Sequence, residues 1–511
     1  MSASAASNAR SSTSSFPATY SYSDMVPACN RAASRRIEKP STPSASSNPT
    51  AASTIRSRDN RGFRPPRASS NQTPLLGSAI HLPPVHRTDT RTASLAARSQ
   101  HIPEVEIMSM TQARWLRRYA LLALRLDRIT RAMTVLPVLD YRGPERWRAQ
   151  VDAEEPAPAA RLAEEADALL AELPFEAARA VPLTGQVRAM RAVAERLSGV
   201  RTPMAEYASR CLGLPIEPVP EAVFAEAHDR LDAALPPGPG GLADRWRAWK
   251  QHHRLAEPER LPGFVTRAIT ETRARTAALV PLPADEVVEC ELVSGVPYLA
   301  AGLHRGGVRS ALLVNRDLPF VLADLLAVVA HEGHPGHIAE QVCKEHTLVR
   351  ERGWAEAGIK FLISPQFALG EGLGQCGADL VFPGDEAQRW LTDHVLGEAG
   401  IPADGSDFAA VHSVTNVLWG VWANAALRAD EGASDDSLLD YLARWTLLDR
   451  TELAPALPLL RGPNPYVFGY YHGWRRVRAW LDQPDRAARL RRLLTEPLHP
   501  DQLRVTPAPP R

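Results

Sequence analysis

Cysteine is scarce in this chain of 511 residues, and the five present, Cys29, Cys211, Cys290, Cys343 and Cys376, stand far apart. No close pair suggests a zinc knuckle or a disulfide framework, and the pattern suits a reducing cytoplasm. An excess of charge of either sign is also missing: 59 basic residues meet 58 acidic ones, a formal net charge of +1. A chain so balanced carries no global field to draw it to nucleic acid or to an anionic membrane, and neither partner is expected. Glycine-rich phosphate loops and Gly-x-Ser-x-Gly elbows do not occur, which leaves nucleotide-dependent and serine-hydrolase chemistry without a carrier. No fixed repeat period runs through the helical blocks, so a solenoid is not supported. What is present is a hydrophobic fraction of 44% in a chain long enough for a large core and more than one domain.

Residues 1–107 differ from the rest. Ser, Ala, Pro, Thr and Arg dominate, and apolar residues recur at neither a helical nor a strand period, which predicts a disordered tail. It holds no apolar stretch long enough for a signal peptide or a membrane span. An Arg-rich, Ser-rich, acid-poor composition also describes an organellar transit peptide, and a start at Met108 or Met110 would leave the tail untranslated. Pieces such as Phe63-Arg64-Pro65-Pro66-Arg67 give a basic tint, at a charge density too modest to make nucleic acid a partner.

From residue 108 to residue 511 a mainly α domain is expected. Apolar spacing predicts helices over Thr111–Asp127, Ala159–Leu173, Leu183–Leu197, Pro220–Leu235, Leu242–His253 and Leu261–Leu279, and again over Val411–Leu427 and Ser437–Leu447. Leu235–Gly241, rich in Pro and Gly, reads as a loop and a lobe boundary. Between Pro283 and Asn315 the period changes to two. There Glu286–Val293 and Val308–Val314 predict a small antiparallel β-sheet across the turn Arg305-Gly306-Gly307. Asp317 is placed as N-cap, with Pro319 in the first turn, of a helix through the apolar run Phe320–Ala330.

That run ends in His331-Glu332-Gly333-His334-Pro335-Gly336-His337. Three imidazoles and a carboxylate so close together are metal-site chemistry, since zinc takes neutral imidazole nitrogens and carboxylate oxygens, and a Glu beside a ligand can act as general base. The helical His-Glu-x-x-His spacing is not met, because Pro335 stands at i+4 from His331. Two pairings remain open. His331 and His334 would lie about 60° apart around a helix and about 4.5 Å along it, within reach of one ion. His331 and His337 would be about 9 Å apart along an unbroken helix, too far for bonds of about 2.1 Å, unless Pro335 and Gly336 break it and swing His337 back. Read without a metal, the stretch is a helix end. Burial of the preceding apolar run argues against that, because it carries the polar groups inside.

The pattern His-Glu-x-x-Pro-Gly-His resembles the signature of the bacterial "domain of unknown function 885" family, relatives of gluzincin-type zinc metallopeptidases. Pro365–Leu373 is similar to that family's downstream Glu-Gly segment, and Gly469-Tyr470-Tyr471-His472-Gly473 to its C-terminal Tyr-containing segment. The resemblance runs from about Met108 to Leu481. It implies a multi-helix gluzincin-like metallohydrolase fold with the small sheet beside the active-site helix. It also implies His331 and His337 as metal ligands, Glu371 as third ligand, Glu332 as base and Tyr470 as an oxyanion stabiliser. The family often follows the motif with a second His, where Ile338 stands here, and it varies at His334, whose role is left open.

Glu371 on a separate helix would complete a two-His, one-carboxylate set that leaves zinc a fourth position for water. Asp379 is a candidate to orient a ligand His, while Glu340 and His346 read as surface residues and Cys376 as a small buried hydrophobe. The expected function is therefore hydrolysis of a peptide or small amide, with one zinc ion as cofactor and a peptide or small molecule as partner. The alternative is a helical binding or scaffold protein that has kept the fold and lost the chemistry.

Overall fold

The computed structural model describes residues 108–131 and 138–504, so the expectations placed on residues 1–107 lie outside them. The described chain opens with α1 (Met110–Thr130), where Ser109 and Gln112 each accept the other's backbone N–H. Its apolar stripe, including Trp115, Tyr119 and Leu122, is buried, while Arg125 reaches outward to Glu154 and Glu165. Then follow α2 (Glu145–Ala153), α3 (Ala159–Ala171), α4 (Ala177–Leu197), α5 (Met204–Leu212), α6 (Glu221–Ala234), α7 (Leu242–His252) and α8 (Leu261–Leu279). The helix expected from Leu183 begins earlier. Glu176 accepts the N–H groups of Ala178 and Arg179 and starts α4 ahead of Pro182, which lies inside it.

The strands correct the sequence reading. β2 (Val287–Val293), β3 (Ala300–His304) and β4 (Arg309–Asn315) form a sheet in the order β2-β4-β3. In it β2 runs parallel to β4, with Val287 opposite Arg309, and only β3 is antiparallel to β4, with Ala300 opposite Val314. The sheet is therefore mixed, not antiparallel. The Arg305-Gly306-Gly307 turn follows β3 directly and closes the β3–β4 hairpin, while β2 lies along the other edge of β4 and runs in the same direction as it. β3 carries no alternation because all five of its residues are buried. A second pairing joins β1 (Leu139–Tyr141) antiparallel to β5 (Ile359–Phe361).

Asp317 does not cap a helix. Its carboxylate accepts the Gly295 N–H at 2.7 Å, and Phe320 and Val321 run extended against Arg254 and Leu255. The apolar run therefore divides: an extended start, a turn at Leu322–Asp324, then α9 (Leu325–Glu332). After a break, α10 (His337–Lys344) begins. The remaining longer helices are α11 (Pro365–Val381), α12 (Phe408–Asp430), α13 (Asp435–Thr446), α14 (Trp474–Leu481) and α15 (Arg486–Thr495). Among them α11 is central, packed against α9, α14 and the helical turn Gly469–Gly473. Helices before and after Leu235–Gly241 share one hydrophobic core, and among the described residues no helix is long and apolar enough to cross a membrane.

The break between α9 and α10 is compact. Gly336 N–H returns to Ala330 O at 3.0 Å, and Gly333 N–H to Val329 O at 2.8 Å. A Cβ on Gly336 would stand 1.8 Å from the carbonyl oxygen of His331, so only glycine fits. Gly336→Ala is expected to lower stability by about 3 kcal/mol or more and to displace His337, read as the urea midpoint of unfolding with metal content beside it.

Candidate metal centre

The break turns His337 back onto His331. Their rings stand 4.8 Å apart at 81°, with the two Nε2 atoms 3.2 Å from each other. Of the two pairings open in the sequence, the structure adopts i, i+6. Glu371, from the middle of α11, brings Oε1 to 3.4 Å from His337 Nε2 and Oε2 to 3.5 Å from His331 Nε2. Ligand atoms about 2.1 Å from a shared tetrahedral centre lie roughly 3.4 Å apart, so the three side chains fit a zinc-sized ion. All three are buried, and among the described residues Glu371 Oε2 has no hydrogen-bond partner. His331, His337 and Glu371 thus form a group able to hold a metal ion. The close approach of α11 depends on Gly374, where a Cβ would stand 2.6 Å from His331 Nε2.

The electrostatics fit this arrangement. Burial acts to raise the Glu371 carboxyl, but His337 and His331 outweigh it and hold it at about 2, so it is ionised at neutral pH. Burial lowers His331, with Glu371 opposing. For His337 burial also acts downward, but the Glu371 carboxylate prevails and raises it. An anionic oxygen and two converging imidazoles in a buried site are what a cation would satisfy.

His334 points the other way. Its Nε2 meets Glu286 Oε1 and Oε2 at 2.9 and 3.0 Å, and Arg273 Nε reaches the same carboxylate at 2.9 Å. Burial would raise Glu286, yet His334 and Arg273 hold it below the usual carboxylate range. The middle histidine of the motif is thus a strut between the helix break and the residue just before β2. Glu332 is buried, and its Oε2 accepts the Gly302 N–H of β3 at 2.7 Å. That contact turns the edge of β3 opposite β4 toward the site, and Ala300, two residues earlier on the same edge, reaches the cleft wall.

Glu340 is not a surface residue. It is 3% exposed and paired with Lys344 at 2.5 Å and Lys360 at 3.5 Å; burial would raise its carboxyl, but the two lysines hold it at about 2. His346, by contrast, is an exposed partner of Glu351. Cys376 is buried, and burial pushes its thiol up.

His331 and Glu332 face a cleft that encloses about 880 Å³ including its open mouth. From α12 it receives His412, Thr415, Asn416 and Trp419, spaced i, i+3, i+4 and i+7. This stripe was missed in the sequence, although a polar face on an otherwise apolar helix is a readable signal. His412 Nε2 lies 3.0 Å from Asp324 Oδ1, and Asn416 donates to Gln375 O at 3.2 Å. Asp379 lies in the wall of this cleft. Tyr470 is buried and its ring stacks on Trp419 at 4.1 Å and 15°, on a turn whose Gly473 carbonyl lies against Gly372 of α11. His472 beside it is pushed down to about 4 by burial and by Arg475, and is therefore neutral near pH 7.

No protein-family model matches the chain, and no curated protein matches it. Among solved structures the chain is similar to the crystal structure of a "putative lipoprotein" from Colwellia psychrerythraea, at a TM-score of 0.42 and 14% identity, over 78% of this chain and 76% of that one. A likeness at that level fixes neither family nor function.

Two predictions follow from this geometry. His337→Ala is expected to lose the ion of this centre, whereas His334→Ala keeps it and loses about 1–3 kcal/mol of stability, measured by metal analysis and urea unfolding. Because the Glu340 carboxyl is depressed in the folded state, its contribution is present above the unfolded value of about 4.5 and is lost as pH falls toward about 2. The melting temperature of Glu340→Gln should therefore be lower than wild type at pH 7 and fall less steeply between pH 5 and pH 2; parallel profiles would contradict this.

Proposed function

We propose that this chain is a zinc-dependent hydrolase that cleaves a peptide or small amide bond. The observation that carries the reading is the convergence of His331, His337 and Glu371 to within 3.5 Å of one another, next to a buried Glu332 at an open cleft. These three side chains would hold one zinc ion, and zinc bound there supplies a Lewis acid that polarises a carbonyl and brings the pKa of water down to about 7.

The chain's own residues have separable tasks. Glu332 is the general base: the Gly302 N–H holds its Oε2 and so sets the plane of the carboxylate, which takes a proton from the attacking water and passes it to the leaving amine. The outer edge of β3, at Ala300, pairs with the extended backbone of a peptide and lays the scissile bond along the cleft. Tyr470, its ring held against Trp419, donates its hydroxyl to the developing oxyanion. The likeness of the His-Glu-x-x-Pro-Gly-His stretch to the family of unknown function 885 supports the same assignment. Four free cysteines among the described residues accord with a reducing cytoplasmic setting.

The test is turnover of a peptide and amide panel by zinc-loaded protein. Glu332→Gln should keep the zinc held by His331, His337 and Glu371 and lose about 10²- to 10⁴-fold in kcat, and Tyr470→Phe should lose about 10²-fold in kcat with KM little changed. A fully active Glu332→Gln variant would overturn the mechanism. A zinc-loaded wild type that turns over nothing in the panel would favour the scaffold reading.

A further inference from the structure

Away from the cleft, α7 ends in two adjacent histidines, His252 and His253, facing the loop that leads into α12. We propose that His252, His253 and Asp404 form a second, structural transition-metal site that staples the C-terminal end of α7 to that loop.

The two imidazole rings pack edge to face, as the first pair does. Their ring centroids are 4.7 Å apart at 82°, against 4.8 Å and 81° for His331 and His337. Each is held in one tautomer by a backbone carbonyl: His253 Nδ1 donates to Trp249 O at 2.9 Å, and His252 Nε2 donates to Pro402 O at 2.9 Å. A carbonyl can only accept, so the proton sits on those nitrogens and the lone pairs on His253 Nε2 and His252 Nδ1. This outer hydrogen bond is the one a metal-ligating histidine characteristically makes. Asp404 is prepared in the same way. Its Oδ1 accepts Ser406 N–H at 3.0 Å and Ser406 Oγ–H at 2.6 Å, while Oδ2 faces His253 Nε2 at 3.9 Å. That gap is too long for a hydrogen bond and somewhat wider than the roughly 3.4 Å between ligands of a tetrahedral ion, so binding would draw the loop in slightly. His253 is 1% exposed, and burial pushes its imidazole below the ordinary histidine value, with Asp404 opposing.

Two imidazoles and one carboxylate suit Zn²⁺, with Ni²⁺ and Cu²⁺ as competitors. An ion there would do no chemistry at the cleft. It would fix α7, which carries Trp246 and Lys250, against the start of α12, which carries His412 to Trp419, and these are two of the cleft walls. The inference is independent of the hydrolase reading.

The experiment is zinc stoichiometry by mass spectrometry on full-length protein after zinc loading and desalting. Wild type should hold close to two ions. His337→Ala should hold close to one, and His337→Ala combined with Asp404→Asn close to none, with the fold checked by circular dichroism. His252→Gln, at a part-exposed position, is the second variant and should lose the same ion. One ion in wild type that is lost in His337→Ala overturns the second site, as does an ion that survives both Asp404→Asn and His252→Gln in the His337→Ala background.

Discussion

Two imidazole nitrogens and one carboxylate brought within 3.5 Å of one another in a buried place is the constraint on which the rest of this structure depends. Polar groups taken out of water must be paired or neutralised, and here the pairing is mutual. To make it, the chain interrupts a buried helix at Gly333–Gly336, so that a residue six positions from His331 returns to it. It also leaves Gly374 bare, so that α11 can bring Glu371 up against the imidazoles. The sheet supplies one backbone N–H, from Gly302, which orients Glu332 beside the centre.

Around this centre lies a second rank of paired charges. His334 and Arg273 share Glu286, Lys344 and Lys360 share Glu340, and His304 with the Gly307 N–H holds Glu345. Removing one member of such a buried pair leaves the other without its partner and commonly costs about 1–3 kcal/mol or more, against the small contribution of an exposed pair. These pairs tie the helix break, α10 and the hairpin to neighbouring elements. They make the positions of His331 and His337 a property of the whole framework, not of the motif alone. The cleft then follows from the faces of α7, α9, α11 and α12 meeting the edge of β3 above the centre, with the α12 stripe supplying part of its polar wall.

Much of the helical framework was legible in the sequence. The helix Leu261–Leu279 is found at both expected ends, and α1, α6, α7 and α13 begin within two residues of the periodic blocks. Local periodicity carries that information because an amphipathic stripe is set by neighbours three and four residues apart. The failures have one physical character. β3 was invisible because a strand buried on both faces does not alternate, and the direction of β2 depends on which strand it meets. Asp317 had the right chemistry for a cap but was taken by Gly295, and Glu340 had the composition of a surface residue but is covered and paired with lysines.

The same division runs through the site. By itself the sequence determined most of the helix positions and the residue types from which a metal centre can be built, and it marked Pro335 and Gly336 as the place where a helix could break. Only the tertiary structure decided that His337 and not His334 meets His331, that Glu286 claims His334, and that Trp419 lies under Tyr470. Sequence spacing reports on contacts within a turn or two of one helix. Which ring nitrogen meets which carboxylate is set by elements tens to hundreds of residues apart, whose approach is governed by packing and by the demand that every buried charge find a partner.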